Sequence, residues 1–371
     1  MLAAYGLGTT SLHNKDEALH ALVTADLVAS GDWLDLTLEG EPYLSKPPLR
    51  FWLTAPLVRM FGFNAWTVRF WSTAFGVATV VLLYWGVARR WGQAAGAWSA
   101  LALATSHHFL YSHATRSGEL DTTLLFFWTA SAFALAEAAV TRRPGWLVVA
   151  GALAGTAGMS KHLLFLPELA LIAGLCAALG VGRGLPARWW AAAAAAGLVV
   201  ALPWHLAQWL RHGDAFLATY FGTEVAGRLS GTAPGGAAGH GPLFYLRELA
   251  LGFFPWSLLL PIAVPRAARR ARDGDPLGTV LLIWGLVALI VPSAATSKLP
   301  WYVLPALPAA AALVGWLLAA WVARAPHLAA DLAIGAALAL ALLSPTNAAD
   351  HNPFARDAVF GGLTVDWLGR G

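Results

Sequence analysis

Charge is scarce in this chain. Asp, Glu, Lys and Arg together make up 12% of its 371 residues, against about a quarter in an average soluble domain. With 58% hydrophobic residues and a mean hydropathy of +0.60, a water-soluble globular fold is excluded, and the composition is that of a polytopic membrane protein. Cysteine is scarcer still. Cys176 is the only one, so there is no internal disulfide framework. Nothing in the chain resembles a nucleic-acid module; the formal charge of +4 fits arginines in cytoplasmic loops instead. An early apolar span is also missing. "MLAAYGLGTTSL" is too short to cross a bilayer and has neither the basic start nor the apolar core of a signal peptide. The expectation is that translation begins upstream of Met1 or that this copy lacks a first helix.

Long apolar runs are what the chain has in abundance. Runs near 67–88, 94–111, 120–140, 146–160, 163–182, 189–209, 244–265, 278–295, 301–323 and 327–344 each approach the roughly 20 helical residues that a hydrocarbon core requires, about ten spans in all. Arginines fall in every second connection: Arg89 and Arg90, Arg142 and Arg143, Arg183 and Arg188, the group Arg266, Arg269, Arg270 and Arg272, and Arg324. By the positive-inside rule those connections are cytoplasmic. The alternate ones face outward and carry Arg116 with Glu119, Lys161 with His162, the segment 210–243, and Lys298. The expected organisation is an outer-face first loop over 1–66, a bundle of about ten helices over 67–344 with the outer loop 210–243, and a short polar tail over 345–371.

The first loop is dense in chemistry. Leu19, Leu22, Val23 and Leu27 follow helical spacing until Gly31, which predicts an amphipathic helix from Lys15 to Ala29 lying along the membrane surface. Asn14 followed by Glu17 resembles a capping box, with Asp16 in the first turn, so helix capping alone accounts for two acids there. Further on, "GEPYLSKPPLRFWL" presents Lys46 beside Tyr43 and Trp52, with Pro47 and Pro48 holding the lysine in extended backbone. An ammonium held beside lipid headgroups suits a phosphate. Asp121, at the start of "LDTTLLFFW", lies at a membrane boundary where an ionised side chain needs a partner or water.

Several blocks, "DEALHALVTADLVASGDW", "PYLSKPPLRFWL", "FGFNAWTVRFWS", "RSGELDTTLLFFW", "GTAGMSKHLLFLP", "ALPWHLAQW", "YFGTEVAGRL", "FFPWSLLLP" and "SKLPWYVLPALPAAAAL", occur in order. Together they resemble the bacterial glycosyltransferases that use polyprenyl-phosphate sugars, the aminoarabinose transferase and protein mannosyltransferase relatives of the GT-C class. The resemblance implies an all-α integral membrane enzyme of GT-C type, a multi-span bundle with an outer-face amphipathic helix loop. It implies transfer of a sugar from a lipid-linked phosphate donor to a lipid, glycan or protein acceptor, at the periplasmic face of a bacterial inner membrane.

Carried over by position, Asp16 and Glu17 match the first acidic pair and Asp121 the second acidic position, the catalytic candidates. Lys46 matches the donor-phosphate lysine and Tyr302 an aromatic near the donor, with Arg116 and Lys298 as further phosphate candidates. Tyr43, Lys161, Glu224 and Arg228 are candidates for substrate contact. Three positions depart from the aminoarabinose transferases: Ser45 for Glu, Val225 for His and Leu19 for Arg. The first two are associated with metal coordination there, so no metal ligand is assigned and a divalent ion is only weakly supported.

Asp16 is read as a base for an acceptor hydroxyl, or as an orienting group if the acceptor is itself a phosphate. A lipid-linked sugar flippase and an inactive relative are the competing readings; a transporter places charges at mid-membrane depth, whereas here they gather at one face. Glu168, inside "FLPELALIAG", is read as a bundle-facing acid. "APGGAAGHGP" at 233–242 is a spacer or a lid by composition, and the alanines at 191–196 are read as close helix packing.

Overall fold

Helices α1 (Lys15–Ser30) and α2 (Leu49–Phe61) form the start of the fold, joined by a two-residue antiparallel ribbon, Thr37–Leu38 against Glu41–Pro42. The computed structural model describes residues 6–12, 15–161, 165–232 and 240–324. The expected span at 327–344, the tail at 345–371, the cap residue Asn14, His162 and residues 233–239 of the glycine-rich stretch lie outside the described residues.

Helix α1 ends where expected, at Gly31 with a left-handed φ of 71°. Its apolar stripe behaves differently from the surface-helix expectation. Val23 and Leu27 are fully buried with Phe51, Ala55 and Leu120, and Leu19 packs on the same cluster. Leu22 alone of the four apolar positions is exposed. Val23 and Leu27 are thus covered by α2 and Leu120, because a second helix with an apolar face follows in the chain.

Beyond α2, Asn64 and Thr67 form a reciprocal capping box that starts α3 (Ala65–Trp91). There follow α4 (Gln93–Ala104), α5 (His107–Tyr111), α6 (Asp121–Thr141), α7 (Gly145–Gly158), α8 (Phe165–Ala178) and α9 (Ala187–His212). A short α10 (Asp214–Phe216) leads into a π-helix at Leu217–Gly227, and α11 (Arg228–Ser230) closes it. The chain continues through α12 (Phe244–Gly252), a 3₁₀ turn at Trp256–Leu259, α13 (Leu260–Arg272), α14 (Pro276–Ala294), a second 3₁₀ turn at Pro300–Ala306, and α15 (Leu307–Val322).

The protein is therefore a helical, multi-span membrane protein, as the composition required. Each expected run within the described residues is helical, but by length the runs are unequal. Among the described residues, five helices are long and apolar enough to cross a bilayer, or six if the pair α12 and Trp256–Arg272, bent by 114°, counts as one. Helices α4, α7 and α8, with 12, 14 and 14 residues, rise only about 1.5 Å per residue and fall short of a ~30 Å core alone.

Packing sets what lies at the centre. The most apolar window of Pro300–Val322 is 83% buried, against 22% for α9, so α15 is central and α9 peripheral. Yet α9 meets α7 at backbone contact. A Cβ on Gly151 would lie 1.9 Å from the Ala193 carbonyl oxygen, and one on Gly155 2.3 Å from that of Gly197. The alanine run thus serves the close packing expected of it. The arginines cap the end of the bundle away from Asp121: Arg90 pairs with Glu137, and Arg270 lies between the Trp91 and Trp316 rings while bound to Asp275.

Candidate active site

Two adjacent acids on α1 point to different places. Asp16 is exposed at the mouth of a cavity that His20, one turn further on, also lines. Glu17 is buried and bound by Arg69 of α3 in a two-point pair, Nε to Oε1 at 2.7 Å and Nη2 to Oε2 at 2.9 Å, and it also accepts from the Gly118 amide at 2.6 Å. The other Arg69 protons go to the Leu7, Thr10 and Ser11 carbonyls. Gly118 is fixed by space, since a Cβ there would lie 2.6 Å from Val68.

Glu17 thereby ties α1, α3 and the loop before α6 into one block. Breaking one partner of a buried pair costs about 3–5 kcal/mol. Glu17→Gln should therefore lower the thermal midpoint in detergent sharply while turnover per folded molecule changes little. A fall in turnover with an unchanged melt would return Glu17 to the reaction.

The same block positions the loop 112–120. Ser72 Oγ and Thr73 Oγ1 of α3 donate to the carbonyls of Glu119 and Thr115, and Arg50 of α2 reaches Val68 O and Ser72 Oγ. This fixed loop carries Glu119 between two histidines, His20 Nδ1 at 3.4 Å and His113 Nδ1 at 3.5 Å. The His113 ring stacks on Trp301, centroids 3.6 Å apart. Burial raises the Glu119 carboxyl above its usual range. Burial also drives His20 well below the usual imidazole value, helped by Lys46 and Lys161, so it is neutral near pH 7.

Asp16, His113 and Glu119 bring one donor atom each within 4.8 Å of one another. Glu119 Oε1 is buried and has His113 Nδ1 as its polar neighbour at 3.5 Å. Two carboxylate oxygens and an imidazole nitrogen gathered this closely fit a divalent ion.

Cations line the same cavity. Lys161, at the end of α7, donates to Asp121 at 2.6 Å in a buried pair, with its Nζ 5.5 Å from the Tyr302 ring centre. Burial pulls Lys161 down, but Asp121 and Tyr302 outweigh it and hold the ammonium above its usual value. Lys46 projects from the bend before α2 and meets Glu224 of the π-helix at 2.8 Å. Burial brings Lys46 down to about 8 against the pull of Glu224. Burial pushes Glu224 up, but Lys46 and Arg228 outweigh it and keep it ionised below the usual range. Arg228, one turn beyond, pairs with the same Glu224 oxygen at 3.1 Å.

Asp16, Lys46, Asp121, Lys161, Arg228 and Tyr302 thus surround one cavity, together with His20, His113, Glu119 and Trp301. Its volume is about 30 Å³, room for a water or two. Five other candidates do not line it; one of them, Glu224, is bound to Lys46 and Arg228. Glu17 faces Arg69. Tyr43 is buried against Phe51 in the α1–α2 cluster. Arg116 lies over the Tyr111 ring, and the buried Lys298 donates to the Ala295 carbonyl. The sequence reading missed His20, His113, Glu119 and Trp301 as site residues. The helical interval from Asp16 to His20 and the Glu119-x-Asp121 spacing were the available signals; His113 and Trp301 carried none.

Residues 45–206 match the dolichyl-phosphate-mannose-protein mannosyltransferase family. An undecaprenyl phosphate-alpha-4-amino-4-deoxy-L-arabinose arabinosyl transferase of Sodalis glossinidius is 32% identical over 314 residues, 80% of this chain and 53% of that protein. The crystal structure of ArnT from Cupriavidus metallidurans bound to undecaprenyl phosphate shares the fold with a TM-score of 0.74, at 24% identity, over 85% of this chain and 57% of that one. The Archaeoglobus fulgidus oligosaccharyltransferase aligns with a TM-score of 0.55 at 13% identity, over 94% of this chain and 53% of that one. The chain spans about half the length of the Sodalis relative.

Proposed function

We propose that this chain, which is similar in sequence and in fold to GT-C glycosyltransferases, moves a sugar from a polyprenyl-phosphate donor to an acceptor oxygen at the outer face of a bacterial inner membrane. The observation that carries this reading is one cavity lined by three cations, Lys46, Lys161 and Arg228, and three acids, Asp16, Glu119 and Asp121. Transfer forms a bond between the acceptor oxygen and the anomeric carbon as the bond from that carbon to the phosphate oxygen breaks. The electron pair leaves with polyprenyl phosphate, and the acceptor proton goes to a base. Cations placed where charge grows on the phosphate lower the barrier.

In this assignment Lys46 and Arg228 hold the donor phosphate, and Asp16 takes the proton of a hydroxyl acceptor. Asp121 is bound to Lys161 and orients that ammonium toward Tyr302. Asp16, His113 and Glu119 would hold a divalent ion, whose chemistry there would be to draw an acceptor oxygen in and ease loss of its proton. Gathering of the ionisable groups at one end favours an enzyme over a flippase, which needs charges along a path.

Sealed vesicles of known orientation test both activity and sidedness. Right-side-out vesicles carrying undecaprenyl-phosphate sugars should glycosylate acceptors added outside, with undecaprenyl phosphate as co-product by mass spectrometry. Transfer in inverted vesicles alone would overturn the sidedness. No transfer across a panel of sugars and acceptors in either orientation would sink the reading.

A further inference from the structure

Glu224 places one carboxylate oxygen on both cations assigned to the donor phosphate, 2.8 Å from Lys46 and 3.1 Å from Arg228. Lys46 and Arg228 line the cavity, and Glu224 meets them from behind its wall. A single oxygen bridging an ammonium and a guanidinium is the arrangement a phosphate oxygen would take. At about 30 Å³ the cavity does not accept a phosphate and a sugar without some wall group moving.

The element carrying Glu224 is suited to such a movement. It is an 11-residue π-helix, Leu217–Gly227, a form rare at that length and associated with functional sites. Its ends are fixed: Tyr220 is fully buried and bonded to His205 at 2.9 Å, and the Arg228 and Leu229 carbonyls accept from Ser297 and Thr296. Between these anchors, Phe221, Gly222, Thr223 and Ala226 are exposed, so few packed contacts hold this stretch of backbone in place, and the Glu224 side chain, 13% exposed, is held chiefly by its two cations.

We propose, resting on the functional reading above, that Glu224 competes with the lipid phosphate for Lys46 and Arg228: donor entry displaces its carboxylate, and its return helps expel polyprenyl phosphate after transfer. The charge balance supports the exchange. A phosphodiester-linked donor and a carboxylate each carry one negative charge, so the swap leaves the wall neutral to the same degree. The monoester product carries nearer two and would otherwise be held more strongly than the donor, slowing release.

The test is binding of undecaprenyl phosphate to the full chain in nanodiscs at pH 6.5, where Lys46 is charged. Glu224→Gln removes the competing charge and should tighten binding at least about tenfold, with Glu224→Ala in the same direction. Binding by the wild type with equal or weaker binding by the variants overturns the competition and leaves the functional reading standing. No binding by the wild type or by either variant overturns both. In case neither variant folds, a carbodiimide that couples Lys46 to Glu224 reads the wild type directly. The cross-link should form and should fall at least about fivefold with undecaprenyl phosphate; a cross-link that never forms, or that persists at saturating lipid, removes the proposal.

Discussion

Asp16→Asn should reduce turnover on a hydroxyl acceptor by roughly 10²–10⁴-fold while binding of the lipid donor persists. The amide keeps the shape of the side chain but loses its charge, and with it the ability to take a proton and to help hold a divalent ion. The structure strengthens this expectation by separating Asp16 from its neighbour. Glu17 carries the structural load through Arg69 and Gly118, which leaves Asp16 exposed at the cavity. A purely capping role makes the opposite forecast, because Asn is as good as Asp at a helix start. Near-wild-type turnover of Asp16→Asn, with an unchanged melt, would return Asp16 to that role.

Lys46→Ala should weaken binding of undecaprenyl phosphate by roughly 10–100-fold, as expected for loss of a hydrogen bond to a charged group, and should lower turnover with it. The sign is opposite to that expected of Glu224→Gln, although the two residues form one ion pair. Titration offers an independent check. Lys46 is brought down to about 8, so its charge is complete below that value and is lost as pH rises through it. Affinity for the lipid phosphate should fall over the same interval in the wild type, more steeply than in Lys46→Ala. Equal affinity of the wild type and Lys46→Ala across this range would remove Lys46 from the phosphate site.

Much of this arrangement was legible in the chain. Alternating arginines gave the two ends of the bundle, and Gly31 marked the end of α1. Collinear blocks located Asp16, Lys46, Asp121, Arg228 and Tyr302, and the sidedness of the connections singled out Lys161; the fold brings all six to one cavity. What escaped depended on contacts distant in sequence. Asp16 and Glu17 are the same chemistry one position apart, but successive helix residues diverge by about 100°. Only Arg69, 52 residues away, shows which of the two is structural.

The partner of the α1 apolar stripe was hidden for a similar reason, since amphipathic spacing states that a face is buried and not what covers it. Lys298 and Arg116 looked like phosphate ligands because they were charged and on the expected face. The ammonium instead folds back on the Ala295 carbonyl, and the neighbours Trp301 and Tyr302 reach the cavity. His113 enters by stacking on Trp301, a contact no local pattern announces.

The most direct test of the account is a cryo-electron microscopy structure of the full chain with undecaprenyl phosphate in nanodiscs, read for the position of the phosphate. The account predicts phosphate density within about 3 Å of Lys46 Nζ and the Arg228 guanidinium, with the Glu224 carboxylate withdrawn from both. Phosphate density away from this cavity, whether at the arginine-rich end or on the lipid-facing surface, would contradict it.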